Sequence, residues 1–97
     1  MLLDKLYKIE SVSQTQGSVI LSDEEHPVFK AHFENNPILP GFVHLEIIAD
    51  LFNLEIQSIK KAKFSGFVKP SQRLEYVKKG NRVSVFCAEN EVAQFNL

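Results

Sequence analysis

Alternating apolar and polar residues predict a β-hairpin near the start of the chain. Residues 6–12, LYKIESV, alternate loosely, and residues 18–22, SVILS, are rich in β-branched and apolar side chains. The polar stretch SQTQG lies between them and ends at Gly17, which is typical of a turn between two strands. The charged segment DEEHP then interrupts the apolar pattern. We therefore expect the first two strands to pair with each other.

A long apolar segment in the middle of the chain predicts its one substantial helix. Residues 42–54, FVHLEIIADLFNL, contain only four polar side chains. Pro40 and Gly41 come directly before this segment. Proline is well tolerated in the first turn of a helix, where its missing N–H would have no partner anyway. The helix is therefore predicted to start at Pro40-Gly41.

The four polar residues of this segment divide between two faces. On a helical wheel of about 100° per residue, Glu46, Asp50 and Asn53 fall on one narrow stripe, and His44 lies roughly opposite. A helix that is apolar over most of its circumference is usually covered by other elements. We therefore expect a buried helix with a carboxylate on a single inner polar stripe.

The segment after the helix is expected to form a long strand over residues 56–68. Within it, Ser65-Gly66 indicates a bulge or a close approach of another backbone, because glycine inside a strand often marks such a place.

The last quarter of the chain predicts three short strands over residues 73–97. The turns between them are expected at Gly80-Asn81 and at Glu89-Asn90. One helix and five or so antiparallel strands indicate an α+β fold, in which a sheet wraps around one helix. We expect a single domain that spans residues 1–97.

Composition places the chain among small globular proteins. It has 97 residues, of which 44% are hydrophobic and 24% charged, as is ordinary for such a domain. No apolar run approaches the roughly 20 residues of a membrane span, and the N-terminus lacks the apolar core of a signal peptide. Cys87 is the only cysteine, so no internal disulfide is possible. A reducing cytoplasm is the expected location, and no membrane partner is expected.

The net charge of −1 conceals an uneven distribution of charged residues. Residues 1–56 carry a net charge of −6, whereas residues 57–82 carry +7. A basic segment of this kind can attract an acidic protein or nucleic acid. The alternative is that these lysines and arginines only keep the strand surfaces soluble.

The stretch HFENNPILPGFVHLE, from His32 to Glu46, carries a resemblance. Its pattern H-F-x-x-x-P-x-x-P-G-x-x-x-x-E resembles the active-site segment of bacterial 3-hydroxyacyl-[acyl-carrier-protein] dehydratases, which have the hot-dog fold. The histidine and the glutamate of that family have the same spacing as His32 and Glu46. A second segment, KFSGFVKPSQRL, is similar to the family pattern F-x-x-P-V-x-P-G-D-x-L; the matching residues are Phe64, Val68, Pro70 and Leu74.

Several positions depart from the family pattern and suggest a different acyl substrate. Ala31 replaces a usual glycine, and Glu34 and Phe67 each replace a usual proline. Ser71-Gln72 replaces the Gly-Asp pair, and Asp50 stands where many members have glutamine.

The resemblance implies an acid–base mechanism with His32 and Glu46 as the catalytic residues. Dehydration of a 3-hydroxyacyl thioester removes a proton from C2 and hydroxide from C3, so a base and an acid must flank the substrate. His32 suits the role of base because histidine titrates near neutrality. Glu46 is expected to hold the acidic proton, because burial disfavours a charged carboxylate. The N–H of Gly41, at the start of the helix, is expected to bind the thioester carbonyl oxygen.

Asp50 is expected to support Glu46 from one helical turn beyond it. Two carboxyls at positions i and i+4 disfavour each other's charge, so the pair should keep one proton to higher pH than Glu46 would alone. The alternative is that Asp50 faces water or a basic side chain and leaves Glu46 unaffected.

The resemblance also implies partners, but no metal and no bound cofactor. Family members act on acyl groups carried by the phosphopantetheine arm of an acyl carrier protein. They form dimers in which the histidine and the glutamate of one site come from opposite subunits. We therefore expect a homodimer or a higher homo-oligomer, and no nucleic-acid partner. The basic residues expected to dock the acidic carrier are Lys60, Lys61, Lys63, Lys69 and Arg73.

Two other functions remain open at this point. A hot-dog thioesterase would hydrolyse the thioester with a helix carboxylate that activates water, although the histidine before the proline loop favours the dehydratase. A non-catalytic acyl-binding hot-dog subunit would explain the departures from the motif. His26 and His44 lie outside the motif, and we assign both of them structural roles.

Overall fold

The computed structural model describes residues 5–30 and 38–97, which form six strands and two helices. In chain order these are β1 (Tyr7–Val12), β2 (Gln16–Leu21), the short helix α1 (Pro27–Lys30), α2 (Val43–Phe52), β3 (Lys61–Phe64), β4 (Arg73–Lys79), β5 (Arg82–Cys87) and β6 (Asn90–Asn96). The described strands form one antiparallel sheet in the order β1-β2-β4-β5-β6-β3, with β1 and β3 at its edges. The predicted α+β class is confirmed, with six strands in the described part rather than five or so.

The predicted first hairpin is also confirmed. β1 and β2 pair with Tyr7 opposite Leu21 and Val12 opposite Gly17. A bulge between Ile9 and Ser11 shifts the register midway along the ladder. Such a bulge bends an edge strand and increases its twist, so that β1 can follow the curvature of the sheet.

The two C-terminal hairpins turn on residues with positive φ. Gly80, at the predicted turn after β4, has φ 59°. The second turn is formed by Ala88 and Glu89, one residue earlier than predicted, because Asn90 already pairs with Cys87. Ala88 and Glu89 have φ values of 50° and 70°. Positive φ at both positions is the geometry of a type I′ turn, whose twist matches that of the flanking strands.

The long strand predicted over residues 56–68 is wrong, because β3 covers only four of them. The neighbouring strand β6 ends at Asn96, which lies opposite Lys61, so the chain before Lys61 has no ladder to join. The predicted close approach at Gly66 is confirmed. Its N–H donates to the carbonyl of Val92 at 3.2 Å, and a Cβ there would lie 3.1 Å from Val92 Cγ1.

One face of α2 packs into the core against the sheet. The buried residues of this inner face are Val43, His44, Ile47, Ile48 and Leu51. The sheet contributes fully buried side chains that include Val19, Leu74, Tyr76, Val83, Val85 and Phe95. Full burial of one large aliphatic side chain typically contributes about 1.5–3 kcal/mol, so this interface is the main source of stability for the helix.

The ends of α2 differ from the prediction, which started the helix at Pro40-Gly41 and extended its apolar segment to Leu54. Three successive i+3 hydrogen bonds of 3.1 to 3.2 Å form a tight turn before the helix, which begins at Val43. At the other end, Asn53 has φ 52°, a left-handed conformation that asparagine adopts more readily than most residues. The N–H of Leu54 then returns to the carbonyl of Ala49 at 3.0 Å. Within the described ranges, no helix is long and apolar enough to cross a membrane.

His44 is the polar residue on the inner face of α2. Its side chain is only 3% exposed, and Nδ1 lies 2.8 Å from the hydroxyl oxygen of Tyr76, with which it shares a hydrogen bond. Burial lowers the pKa of His44 to about 4, so the ring is neutral at neutral pH. His26 is buried too, and its Nδ1 accepts a hydrogen bond from the N–H of Val28 at the start of α1. Both histidines thus have structural contacts of the kind assigned to them from the sequence.

We predict that His44 makes the fold acid-sensitive. An unfolded chain protonates this histidine near pH 6.5, whereas the folded chain keeps it neutral until about pH 4. The contribution of the neutral His44 ring to the free energy of unfolding is therefore complete above pH ~6.5 and is lost as the pH falls towards 4. Between about pH 7 and about pH 5 the free energy of unfolding should fall by about 2 kcal/mol through this group alone.

The measurement is urea unfolding of the wild type and His44→Phe at both pH values. The difference between the two proteins in the change of unfolding free energy with pH cancels the effect of the carboxylates, which titrate in both. An equal loss of stability in both proteins would contradict the assignment.

Candidate active site

Glu46 and Asp50 lie on the side of α2 that points away from the sheet. We call this side the outer face, and its residues are Leu45, Glu46, Ala49 and Asp50. Both carboxylates are exposed, whereas Leu45 and Ala49 are half-buried. The expectation of an inner polar stripe is therefore wrong for the single chain. A single sheet can cover only one side of the helix, and the polar residue that it covers is His44.

Asp50 has a partner that the sequence did not suggest. The hydroxyl of Tyr7, on the edge strand β1, donates a hydrogen bond to Oδ2 of Asp50 at 2.5 Å. Asp50 is exposed to water, as one of the expected environments had it, whereas no basic side chain of the described residues pairs with it. Tyr7 was predicted only as one residue of a loosely alternating strand.

Glu46 borders a cleft between α2 and the connection to β3. The cleft has a volume of about 450 Å³ and a mixed lining: Leu45, Ala49, Leu54, Ile56 and Ile59 are its apolar residues, and Glu46, Glu55, Gln57 and Ser58 are its polar ones. In the part of the chain that the structure describes, the Glu46 carboxylate has no hydrogen-bond or salt-bridge partner. It is therefore available to a bound molecule.

Gly41 lies in the turn before α2, under an aromatic ring. A Cβ at Gly41 would lie 2.7 Å from Cε1 of Phe64, closer than real contacts allow. The Phe64 ring is held on its other side by Phe95 in an edge-to-face contact, with 5.6 Å between centroids. The absence of a side chain at Gly41 thus lets β3 approach the N-terminus of α2. Its N–H has no acceptor among the described residues.

The two motif segments lie side by side in the fold. The N–H of Leu39, in the first segment, donates to the carbonyl of Val68, in the second, at 2.7 Å. Val68 and Leu74 are buried in the core. Ser71, which replaces the family's glycine, has φ 67°, where glycine is free of strain.

The basic residues expected to dock a carrier do not form one patch. Lys60, Lys61 and Lys63 are exposed at the β3 edge, and Lys69 is exposed in the loop before β4. Arg73 lies on β4, three strand spacings from β3, or about 14 Å. Its Nε is 2.6 Å from a carboxylate oxygen of Glu10.

His32 falls in residues 31–37, outside the described residues, and so do Ala31 and Glu34. The site that can be described therefore consists of Glu46, Asp50 and Gly41, together with Tyr7. Glu46 is an exposed carboxylate beside a partly apolar cleft, and the Gly41 N–H before the helix has no acceptor among the described residues. Such groups can supply a proton to a ligand and bind an anionic oxygen.

Comparison with known proteins places the chain in a protein family. A family model described as ApeI-like, ApeI dehydratase, matches residues 9–95. Curated relatives are named 3-hydroxyacyl-[acyl-carrier-protein] dehydratase FabZ. The one from Thermoanaerobacter is 30% identical over 63 residues, which are 65% of this chain and 44% of the relative. The one from Nitratiruptor is 30% identical over 95 residues, covering 78% of this chain and 64% of the relative. The chain thus spans about half to two thirds of the length of these relatives.

Solved structures show the same fold. The dehydratase heterocomplex ApeI:P from Xenorhabdus doucetiae contains a chain that aligns with a TM-score of 0.66 at 19% identity, covering 91% of this chain and 89% of that one. An uncharacterized protein from Erwinia carotovora aligns with a TM-score of 0.61 at 21% identity, covering 91% and 86%. The TT0310 protein from Thermus thermophilus aligns with a TM-score of 0.54 at 14% identity, covering 96% and 90%. The predicted hot-dog fold is confirmed.

We predict that Gly41→Ala destabilises the fold by displacing the ring of Phe64. Inserting a methyl group into an occupied space typically costs about 1–3 kcal/mol. In a Phe64→Ala background the same substitution should cost little, because the obstructing ring is gone. Urea unfolding of the four proteins gives the coupling between the two sites. Equal costs in both backgrounds would show that the Phe64 ring does not restrict Gly41.

Proposed function

The chain belongs to the ApeI-like dehydratase family, and we propose that it removes water from a 3-hydroxyacyl thioester to give the trans-2-enoyl thioester. The observation that carries this proposal is the exposed carboxylate of Glu46, which has no partner among the described residues, stands at the family's motif position and borders an open, partly apolar cleft. The apolar lining suits an acyl chain, and the carboxyl suits the leaving hydroxyl.

The chemistry divides between a base and an acid. His32 takes the proton from C2, and the electron pair of that C–H bond forms the double bond between C2 and C3. Glu46 gives its proton to the hydroxyl on C3, which leaves as water with the electrons of the C–O bond. Negative charge develops on the thioester oxygen in between, and the N–H of Gly41, which has no acceptor among the described residues, is the proposed donor that receives it.

A second chain completes this site in the proposal. The outer face of α2 and the β3 edge are both uncovered, and large apolar side chains nearby are exposed: Phe42 by 58%, Phe64 by 56% and Phe67 by 79%. A partner on these surfaces would remove Glu46 from water, which favours the protonated carboxyl that an acid requires. We place His32 and Glu46 of one site on opposite subunits of a homodimer. The Xenorhabdus doucetiae protein is a heterocomplex, so a non-identical partner is the competing outcome.

The acyl group is proposed to arrive on an acyl carrier protein. The curated relatives are named as dehydratases of carrier-bound 3-hydroxyacyl groups. The exposed lysines along β3 provide a positive surface next to Phe64, close to the N-terminus of α2. Lys69 and Arg73 would extend this surface, although Arg73 is already paired with Glu10.

We predict that His32→Ala and Glu46→Gln each reduce dehydration and the reverse hydration of an enoyl thioester by about 10²–10⁴-fold, the usual contribution of a positioned acid or base. Glu75→Gln, on an exposed position of β4, is the control and should keep wild-type turnover. Absorbance of the enoyl thioester and release of free thiol are followed together. Thiol without enoyl product would indicate a thioesterase, and neither signal would indicate an acyl-binding subunit.

The two inactive variants also test the shared site. If His32 and Glu46 come from opposite subunits, a dimer of one His32→Ala chain and one Glu46→Gln chain contains one intact site. Refolding the variants together at equal concentration should therefore restore about a quarter of the wild-type activity, because half of the dimers are mixed. Continued inactivity of the mixture would place both residues on one chain or the partner on another protein.

We predict that carrier-bound substrate loses kcat/KM as the salt concentration rises from about 0.05 to about 0.5 M, whereas a short pantetheine thioester does not. Reversing charge at Lys61 and Lys63 should remove most of this dependence. Reversing Lys8, exposed on β1 at the opposite edge of the sheet, is the matched control and should leave it unchanged. Equal salt sensitivity of the two substrates would exclude electrostatic docking.

A further inference from the structure

Glu46 and Asp50 form an acidic pair on α2. Among the described residues, Tyr7 makes the one side-chain hydrogen bond to this pair. It lies on the edge strand β1, half-buried, with its ring packed against the core and its hydroxyl 2.5 Å from Oδ2 of Asp50. A distance of about 2.5–2.7 Å is typical of an O–H group that donates to a charged oxygen. The contact thus joins the edge strand to the helix through a direct hydrogen bond between the two side chains.

Tyr7 remains the donor throughout the range in which an enzyme works. Burial, the hydrogen bond to Asp50 and the negative charges of Asp50 and Glu46 raise the pKa of Tyr7 well above its ordinary value. Tyr7 is therefore a fixed O–H donor directed at one member of the pair.

The two carboxyls compete for one proton if both are covered by a partner. They lie one helical turn apart on the outer face, and like charges at that spacing disfavour each other. Glu55 is the other carboxylate on the cleft beside Glu46, and no lysine or arginine of the described residues forms a salt bridge with Glu46 or Asp50. A hydrogen bond donated to one carboxylate favours the charged form of that group.

We propose that Tyr7 is a positioning residue of the dehydratase site, which holds Asp50 as the charged member of the pair and so leaves the acidic proton on Glu46. This inference rests on the proposed function, because it assigns the proton to the carboxyl that meets the leaving hydroxyl. Tyr7 does not touch the substrate and acts through Asp50. It also fixes the Asp50 side chain in one orientation, since the bond connects α2 to β1.

The hydrogen bond can be tested without any enzymatic activity. The chain has two tyrosines, and Tyr76 is fully buried in the core. Absorbance of tyrosinate, followed as the pH is raised, should show no ionisation in the range of an ordinary tyrosine in the wild type. Asp50→Asn should bring the ionisation of one tyrosine to lower pH, and Tyr7→Phe should remove that transition. A wild-type tyrosine that ionises in the ordinary range while the fold is intact would overturn the bond itself.

The catalytic consequence is tested with Tyr7→Phe, which keeps the ring and removes only the hydroxyl. We expect kcat to fall about tenfold with KM within about twofold, a partial loss of the acid contribution. The alkaline limb of the kcat/KM profile should move to lower pH in Asp50→Asn, which loses the neighbouring charge, but not in Tyr7→Phe, which keeps it. The double variant should be no slower than Asp50→Asn alone, because Tyr7 acts through Asp50.

Ser11→Ala is the matched control. It removes a hydroxyl from the same strand, and that hydroxyl bonds Ser18 of β2 rather than the helix. Full kcat in Tyr7→Phe, a loss confined to KM, or an equal loss in Ser11→Ala would overturn the positioning role. A wild type that neither dehydrates nor hydrates would instead remove the proposed function and the catalytic part of this inference, while the tyrosinate titration still decides whether Tyr7 and Asp50 are bonded.

Discussion

A ten-residue helix packed against one sheet can bury only one of its faces, and the rest of this structure depends on that limit. The inner face is aliphatic apart from His44, which is neutral and hydrogen-bonded to Tyr76. The outer face keeps half-buried apolar residues beside two carboxylates that are open to solvent. The same helix therefore stabilises the chain with one side and exposes carboxylates on the other. The proposed acid would need a cover that the described residues do not supply.

Most of the fold was predictable because the patterns that specify it are local. Alternation over LYKIESV and SVILS predicted the first hairpin, and Gly80 predicted the turn after β4. The error over residues 56–68 has a different origin. That segment has the composition of a strand, but its length as a strand is limited by where β6 ends, at Asn96. Such a limit lies far away in the chain and has no local signal.

The site was predictable to the extent that a motif specified it. The spacing of the motif pointed to Gly41 and Glu46; the structure places Glu46 beside an open cleft and Gly41 under the ring of Phe64. The side of α2 that meets the sheet was not predictable, because apolar residues occur on both sides of the helix. Tyr7 was missed for a related reason: it is forty-three residues from Asp50, and only the packing of β1 beside α2 brings the two together. A tyrosine in an alternating strand gives no indication of which carboxyl it will meet.

The strand order has a consequence for how the chain forms during translation. Neighbouring hairpins join β1 to β2, β4 to β5 and β5 to β6, and each can close soon after its second strand is made. β3 pairs only with β6, the last described strand, so it waits unpaired while β4, β5 and β6 emerge from the ribosome. The Phe64 ring reaches its place between Gly41 and Phe95 only after that pairing. The N-terminal end of the helix, where the proposed chemistry takes place, is therefore among the last parts of the molecule to assemble.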